Sequence, residues 1–176
     1  MRLFIATFLN NRLCSLNYNT FKEMAKPFVK GKWVENENLH FTYHFMGNVS
    51  EEKVEELRND LSPFLTKYDD KINVHSLRLT PSSDNPKVLV SQIFNPSKKL
   101  FKLHNDMKTI LKKHEINFDL RNFKPHMTLI RIKETYDGFN EFIENNQKYN
   151  FSYTKGFEIK LVQSSLTNER PIYTVL

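Results

Sequence analysis

The chain has 176 residues, 39% of them hydrophobic and 26% charged, which suits one domain with a sizeable core and excludes a disordered or membrane-embedded class. Only four glycines occur, which nearly excludes a glycine-rich phosphate cradle, and the single cysteine, Cys14, excludes an internal disulfide and fits a reducing, cytoplasmic setting. The formal net charge of +6 favours an anionic partner, with nucleic acid first. The opening "RLFIATFL" (2–9) is rich in β-formers and reads as a central strand. Asn10, Asn11 and Arg12 cut it off without a small-residue cleavage site, so it is not read as a signal peptide. No apolar run approaches the roughly 20 residues needed to span a bilayer.

A helix is expected over 17–30, ended by Gly31 as its C-cap. "LHFTYHFM" (39–46) alternates and is aromatic-rich, which predicts a strand. "SEEKVEELRNDLSPFL" (50–65) opens on an N-cap serine followed by acids, and its Val54, Leu57 and Leu61 share one helical face. Two strands follow, 72–80 and 87–94, joined by the turn-forming "PSSDNP". Leu100, Leu103, Met107, Ile110 and Leu111 predict a lysine-rich helix over 96–114, on which His104 and His114 are expected to be solvated. A strand over 126–132, a short helix near 137–145 and two closing strands complete an α+β layout, antiparallel sheet with helices outside.

One pattern occurs twice. H-x-T appears in "LHFTYHF" at His40 and again in "PHMTLIR" at His126, 86 positions later and about half a chain apart, which resembles a duplicated lobe. On a strand, side chains at i and i+2 share a face about 6.5 Å apart. His40 and Thr42 would therefore enter one cleft, as would His126 and Thr128. Imidazole titrates near neutrality, so one copy can accept a proton while the other donates one. A threonine hydroxyl can donate to a nonbridging phosphate oxygen as charge builds there. With six histidines, chance alone supplies roughly half an H-x-T match, so each histidine could equally be a half-buried strand residue.

A regular strand also puts His44 on the face of His40 and Thr42. His40 and His44 would then stand about 13 Å apart, too far for two ligands of one zinc ion, and no HExxH or cysteine cluster stands in for them. His75, mid-strand, is expected to be structural. Arg131 falls on the opposite parity from His126 on a regular strand, and can reach a phosphate through a bulge or from the strand end.

Taken together, "MRLFIA", "WVENENLHFTYHFMGNV", "FKPHMTLIRI" and "LVQSSLTNERPIYTVL" resemble the two-histidine (2H) phosphoesterase superfamily along the whole chain. The resemblance is nearest to the RNA 2′,3′-cyclic phosphodiesterase branch, historically called 2′-5′ RNA ligase. It implies a bilobal α+β fold with two antiparallel sheets around a central cleft, the chain 1–176 forming a single domain of two pseudo-symmetric lobes. It further implies His40 and His126 as the catalytic pair, Thr42, Thr128 and Arg131 as substrate-binding residues, and no metal or other cofactor. The implied partners are RNA bearing 2′,3′-cyclic phosphate ends or small cyclic nucleotides, with no membrane and no obligate protein partner. The implied reaction opens the cyclic phosphate to a 2′-phosphate, with His126 as base on water and His40 as acid to the departing 3′ oxygen. Joining of RNA ends through a 2′-5′ bond, hydrolysis of another cyclic phosphate or 2′-5′ bond, and a non-catalytic basic RNA-binding module are the competing readings.

Overall fold

In the computed structural model, which describes residues 1–176, the chain runs β1 (Arg2–Phe8), α1 (Arg12–Ala25), β2 (Val29–Trp33), a 3-10 turn (Asn36–Asn38), β3 (His40–Asn48) and α2 (Glu51–Leu61). It continues through β4 (Lys67–Tyr68), β5 (Ile72–Pro81), β6 (Pro86–Phe94), α3 (Lys99–Lys113), β7 (His126–Thr135) and α4 (Phe139–Asn145). The closing strands are β8 (Asn150–Thr154), β9 (Phe157–Glu158), β10 (Lys160–Leu166) and β11 (Pro171–Val175). Two sheets carry the fold, one in the order β11-β10-β1-β3 and one in the order β2-β7-β6-β5-β8, with β4 and β9 forming a separate pair. Every pairing is antiparallel. β3 and β7, the strands carrying the two H-x-T sequences, also approach each other across the two sheets.

The helices form where apolar residues recur at helical spacing. α1 buries Cys14, Tyr18, Phe21 and Ala25, and the Asn11 side chain accepts from the Cys14 N–H at its start. That cap starts the helix at Arg12, five residues before the expected start. It ends at Ala25, and Gly31 lies inside β2, where a Cβ would collide with the Arg131 carbonyl of β7. Glycine is needed there for close approach between strands and not as a cap. α2 buries Leu57 and Leu61, and α3 buries Leu100, Leu103, Met107 and Leu111 as their spacing predicts. The first-turn donors of α3 are met from further back than its terminus: the Asn95 side chain accepts from the Leu100 N–H and Ser97 Oγ from the Lys99 N–H. The helices pack on the outer faces, and 35 buried side chains from both sheets and all four helices form one connected core. No helix is long and apolar enough to cross a membrane.

Both histidines of this segment depart from the expectation of solvation. His114, the residue just after α3, is half-buried, its side chain largely covered and its Nε2 2.9 Å from Asp60 of α2. His104 is buried against β3, its ring stacked 4.1 Å from that of His44 and 4.2 Å from Phe123. Burial pushes the His104 imidazole down to about 4, helped by His44 and Lys108, and burial likewise lowers His44. Both are neutral in the folded chain and take up protons on unfolding below about pH 6.5. Their contribution is therefore complete above that value and is lost as pH falls, each group costing up to about 1.4 kcal/mol per pH unit. Urea unfolding between pH 7 and 5 is expected to show this slope, shallower in His104→Phe. An identical slope in the variant contradicts the assignment.

Candidate active site

Two strands break their alternation at equivalent places. Along β3, Ile5 of β1 faces His44 and Ala6 faces Thr42, so Tyr43 is an extra residue without a partner on β1. Along β7, Leu89 of β6 faces Ile130 and Val90 faces Thr128, so Leu129 is the extra residue. Each bulge sits immediately after an H-x-T threonine and turns the rest of the strand over. His40 and Thr42 lie half-exposed on one face of β3, while Phe41, Tyr43 and His44 are all buried on the other. His44 therefore does not share the face of His40. Its Nε2–H donates to the His104 carbonyl at 2.9 Å, inside the core. On β7 the same turnover buries Leu129 and Ile130 together and returns Arg131 to the exposed face of His126 and Thr128. A bulge is what brings Arg131 to the cleft.

The two histidines are anchored alike. His40 Nδ1 lies 2.6 Å from the Asn38 carbonyl and His126 Nδ1 lies 2.7 Å from the Lys124 carbonyl. A carbonyl can only accept, so Nδ1 carries the proton in both rings, and the neutral form presents its lone pair at Nε2. The anchor of His40 is itself held, because Asn38 is buried and donates to the Pro171 carbonyl at 3.2 Å. The ring of His40 sits among Phe4, Phe8 and Tyr173, with centroids 5.4, 5.7 and 5.4 Å away. Phe8 and Tyr173 cover a small apolar cluster, Phe4, Ala6 and Val162, separate from the main core and lying on the cleft side of β1 and β10.

Burial lowers the imidazole of His40 below its ordinary value, partly offset by its carbonyl bond, and the charge of His126 lowers it further. His126 is also lowered, first by the cleft walls and then by the charges of Arg78 and Arg121, although it keeps more surface in solvent than His40. The electrostatic reach of one histidine to the other, and of Arg131 to Tyr173, joins the two sheets across one cleft. No group of three or more His, Cys, Asp or Glu side chains is arranged to hold a metal ion. Cys14 is buried and its thiol is pushed up to about 12, which keeps it a protonated core residue. A cavity of about 620 Å³ opens at the end of β1 beside Lys67 and Lys155 and shares Phe8 with the surroundings of His40.

A bilobal pair of antiparallel sheets of this order is matched among known proteins. The family model described as LigT-like phosphoesterase covers residues 17–90 and 93–173. The chain belongs to the LigT-like phosphoesterase family. Relatives from Methanocaldococcus jannaschii (32% identical, spanning 100% of this chain and 98% of theirs) and Aquifex aeolicus (30%, 100% and 95%) are both named RNA 2′,3′-cyclic phosphodiesterase. The fold is that of the Thermus thermophilus protein TT0787 (TM-score 0.78, 23% identical, covering 100% of this chain and 95% of that one). It is equally that of Escherichia coli LigT in complex with 3′-AMP (TM-score 0.77, 24% identical, 99% and 94%).

In this LigT-like cleft, residues beyond the motif pair escape sequence reasoning. Phe4 and Phe8 read only as strand formers, and Tyr173 lies 133 positions from His40 with no local signal. Phe45, five residues after His40 as Arg131 is five after His126, is exposed and 5.9 Å from Phe4 by ring centroid. Parity relative to the bulge is what exposes it. If burial among aromatic rings depresses His40, Tyr173→Ala should move its titration up towards 6.5, as followed by NMR of the ring protons. A titration that stays put or falls contradicts burial as the cause.

Proposed function

We propose that the chain hydrolyses RNA-terminal 2′,3′-cyclic phosphates to 2′-phosphomonoesters by acid–base catalysis between His40 and His126, without a metal ion. The observation that carries this reading is the pair of equally anchored imidazoles, each presenting Nε2 beside a threonine on a bulged strand of one cleft. The names of the relatives support a cyclic phosphate at an RNA end as the substrate. We also infer that residues 1–176 are one domain of two pseudo-symmetric lobes, supported by the repeated motif, bulge and Nδ1 anchor.

In the reaction, water attacks phosphorus and gives its proton to Nε2 of neutral His126, the more solvent-exposed ring. The bond from phosphorus to the 3′ oxygen breaks, and protonated His40 delivers its proton to that oxygen. The negative substrate offsets the burial that disfavours a charged His40, so binding itself loads the acid. Thr42 and Thr128 donate to the nonbridging oxygens, and the guanidinium of Arg131 balances the charge that grows on them in the transition state. The five-membered ring supplies its own leaving group, and no Lewis acid is required to hold one in place. The same site run in reverse would join ends through a 2′-5′ bond. A basic module lacking catalysis would bind RNA and release it unchanged.

The test is turnover of a 2′,3′-cyclic nucleotide in excess EDTA, with the product isomer identified by phosphorus NMR. Wild type is expected to yield the 2′-phosphate, and His40→Ala and His126→Ala each to lose about 10²- to 10⁴-fold in kcat. Turnover that appears only with added metal, or that survives either substitution, refutes the mechanism. A 3′-phosphate product exchanges the roles of the two histidines.

A further inference from the structure

Arg78 is a charged side chain of the cleft to which the reaction gives no task. Sequence reasoning gives it none either. In β5 the bulge at Ser76 (φ 72°) turns the strand, so that Leu77 enters the core and Arg78 faces the cleft. Its partner across β6 is Val90, and the partner of Val90 is Thr128. Val90 is buried yet stands outside the main core, on the same face as Thr128. Arg78 thus starts two strands from Thr128, about 10 Å by strand spacing, and its charge acts on His126.

The guanidinium has no partner in the chain. It makes no hydrogen bond or ion pair, and its Nε is buried without an acceptor. A half-buried cation left unpaired is costly, and the donors of an arginine fork match phosphate oxygens. The neighbouring Arg121 is already spent on Asp119 at 2.5 Å, and Lys32 on the Glu169 carbonyl at 2.6 Å. Beyond Arg78 on the same face lies His75, stacked 4.3 Å from the partly exposed ring of Phe94, a flat surface on which a base can lie.

Resting on the reading of the cleft as a cyclic phosphodiesterase site, we propose that Arg78 holds the phosphodiester that precedes the terminal cyclic phosphate in an RNA strand. The reacting phosphate lies between the histidines, and the strand leaves it across β6 towards β5. Arg78 thereby makes the cleft selective for an RNA end over a free mononucleotide.

Wild type, Arg78→Gln and Arg78→Lys are compared on a 2′,3′-cyclic mononucleotide and on an oligoribonucleotide ending in the same group. Arg78→Gln should lower kcat/KM on the oligonucleotide at least tenfold beyond its effect on the mononucleotide, and Arg78→Lys should recover part of that preference. An unchanged preference in Arg78→Gln overturns the proposal. If wild type opens neither substrate, the enzymatic reading fails, and Arg78 is then judged on binding alone. Anisotropy of an unreactive fluorescent oligoribonucleotide across a potassium chloride series should give a log–log salt slope shallower by about 0.7 in Arg78→Gln. An equal slope in the two proteins overturns the phosphate contact.

Discussion

A β-strand repeats every two residues, and the chemistry of this cleft depends on that repeat being interrupted after each H-x-T threonine. Without the extra residue at Tyr43, His44 would face the cleft and Phe45 the core. Without Leu129, Arg131 would point into the interior and Ile130 into water. The interruption lets one short strand supply two small polar groups from before the bulge and a third group from after it. In β7 that third group is a cation, and in β3 it is a phenyl ring. The two motifs therefore offer chemically different walls to whatever lies between them.

The polar groups are held from behind by partners that cannot exchange roles. Each Nδ1 is bonded to a backbone carbonyl two residues earlier, which fixes the tautomer without a carboxylate. A carboxylate at that position would raise the imidazole, whereas a carbonyl leaves it free to be lowered by burial and by neighbouring cations. His40 is then closed in by Phe4, Phe8 and Tyr173, which come from both ends of the chain. Burial and neighbouring charges disfavour the charged form of both histidines, and an anion held between them would favour it. The arginines, by contrast, are charged throughout and set the field into which that anion falls.

Much of this is legible in the residues. The strand–helix order, the antiparallel α+β class and the shared faces of His40 with Thr42 and of His126 with Thr128 follow from two-residue alternation alone. What alternation cannot supply is its own failure. Nothing in "HFTYHFMG" marks Tyr43 as the extra residue, so alternation assigns His44 to the wrong face, and it brings Arg131 to the cleft only if a bulge is granted. His104 and His114 look solvated because lysines surround them in sequence, yet each stands on the buried stripe or the end of α3. Gly31 looks like a helix cap, and its real constraint, the carbonyl of Arg131, is 100 positions away. Tyr173 and Arg78 join the site only through sheet order, which one sequence does not encode locally.

In the proposed reaction two imidazoles, one neutral and one protonated, do the chemistry, both lowered by the cleft that holds them. The pH dependence of kcat/KM on a 2′,3′-cyclic nucleotide reports those two groups in the free protein. A bell is expected whose maximum lies below pH 6.5, because His40 and His126 are both held under the ordinary histidine value. A profile that is flat from pH 5 to 9, or that keeps rising through pH 8, would contradict it.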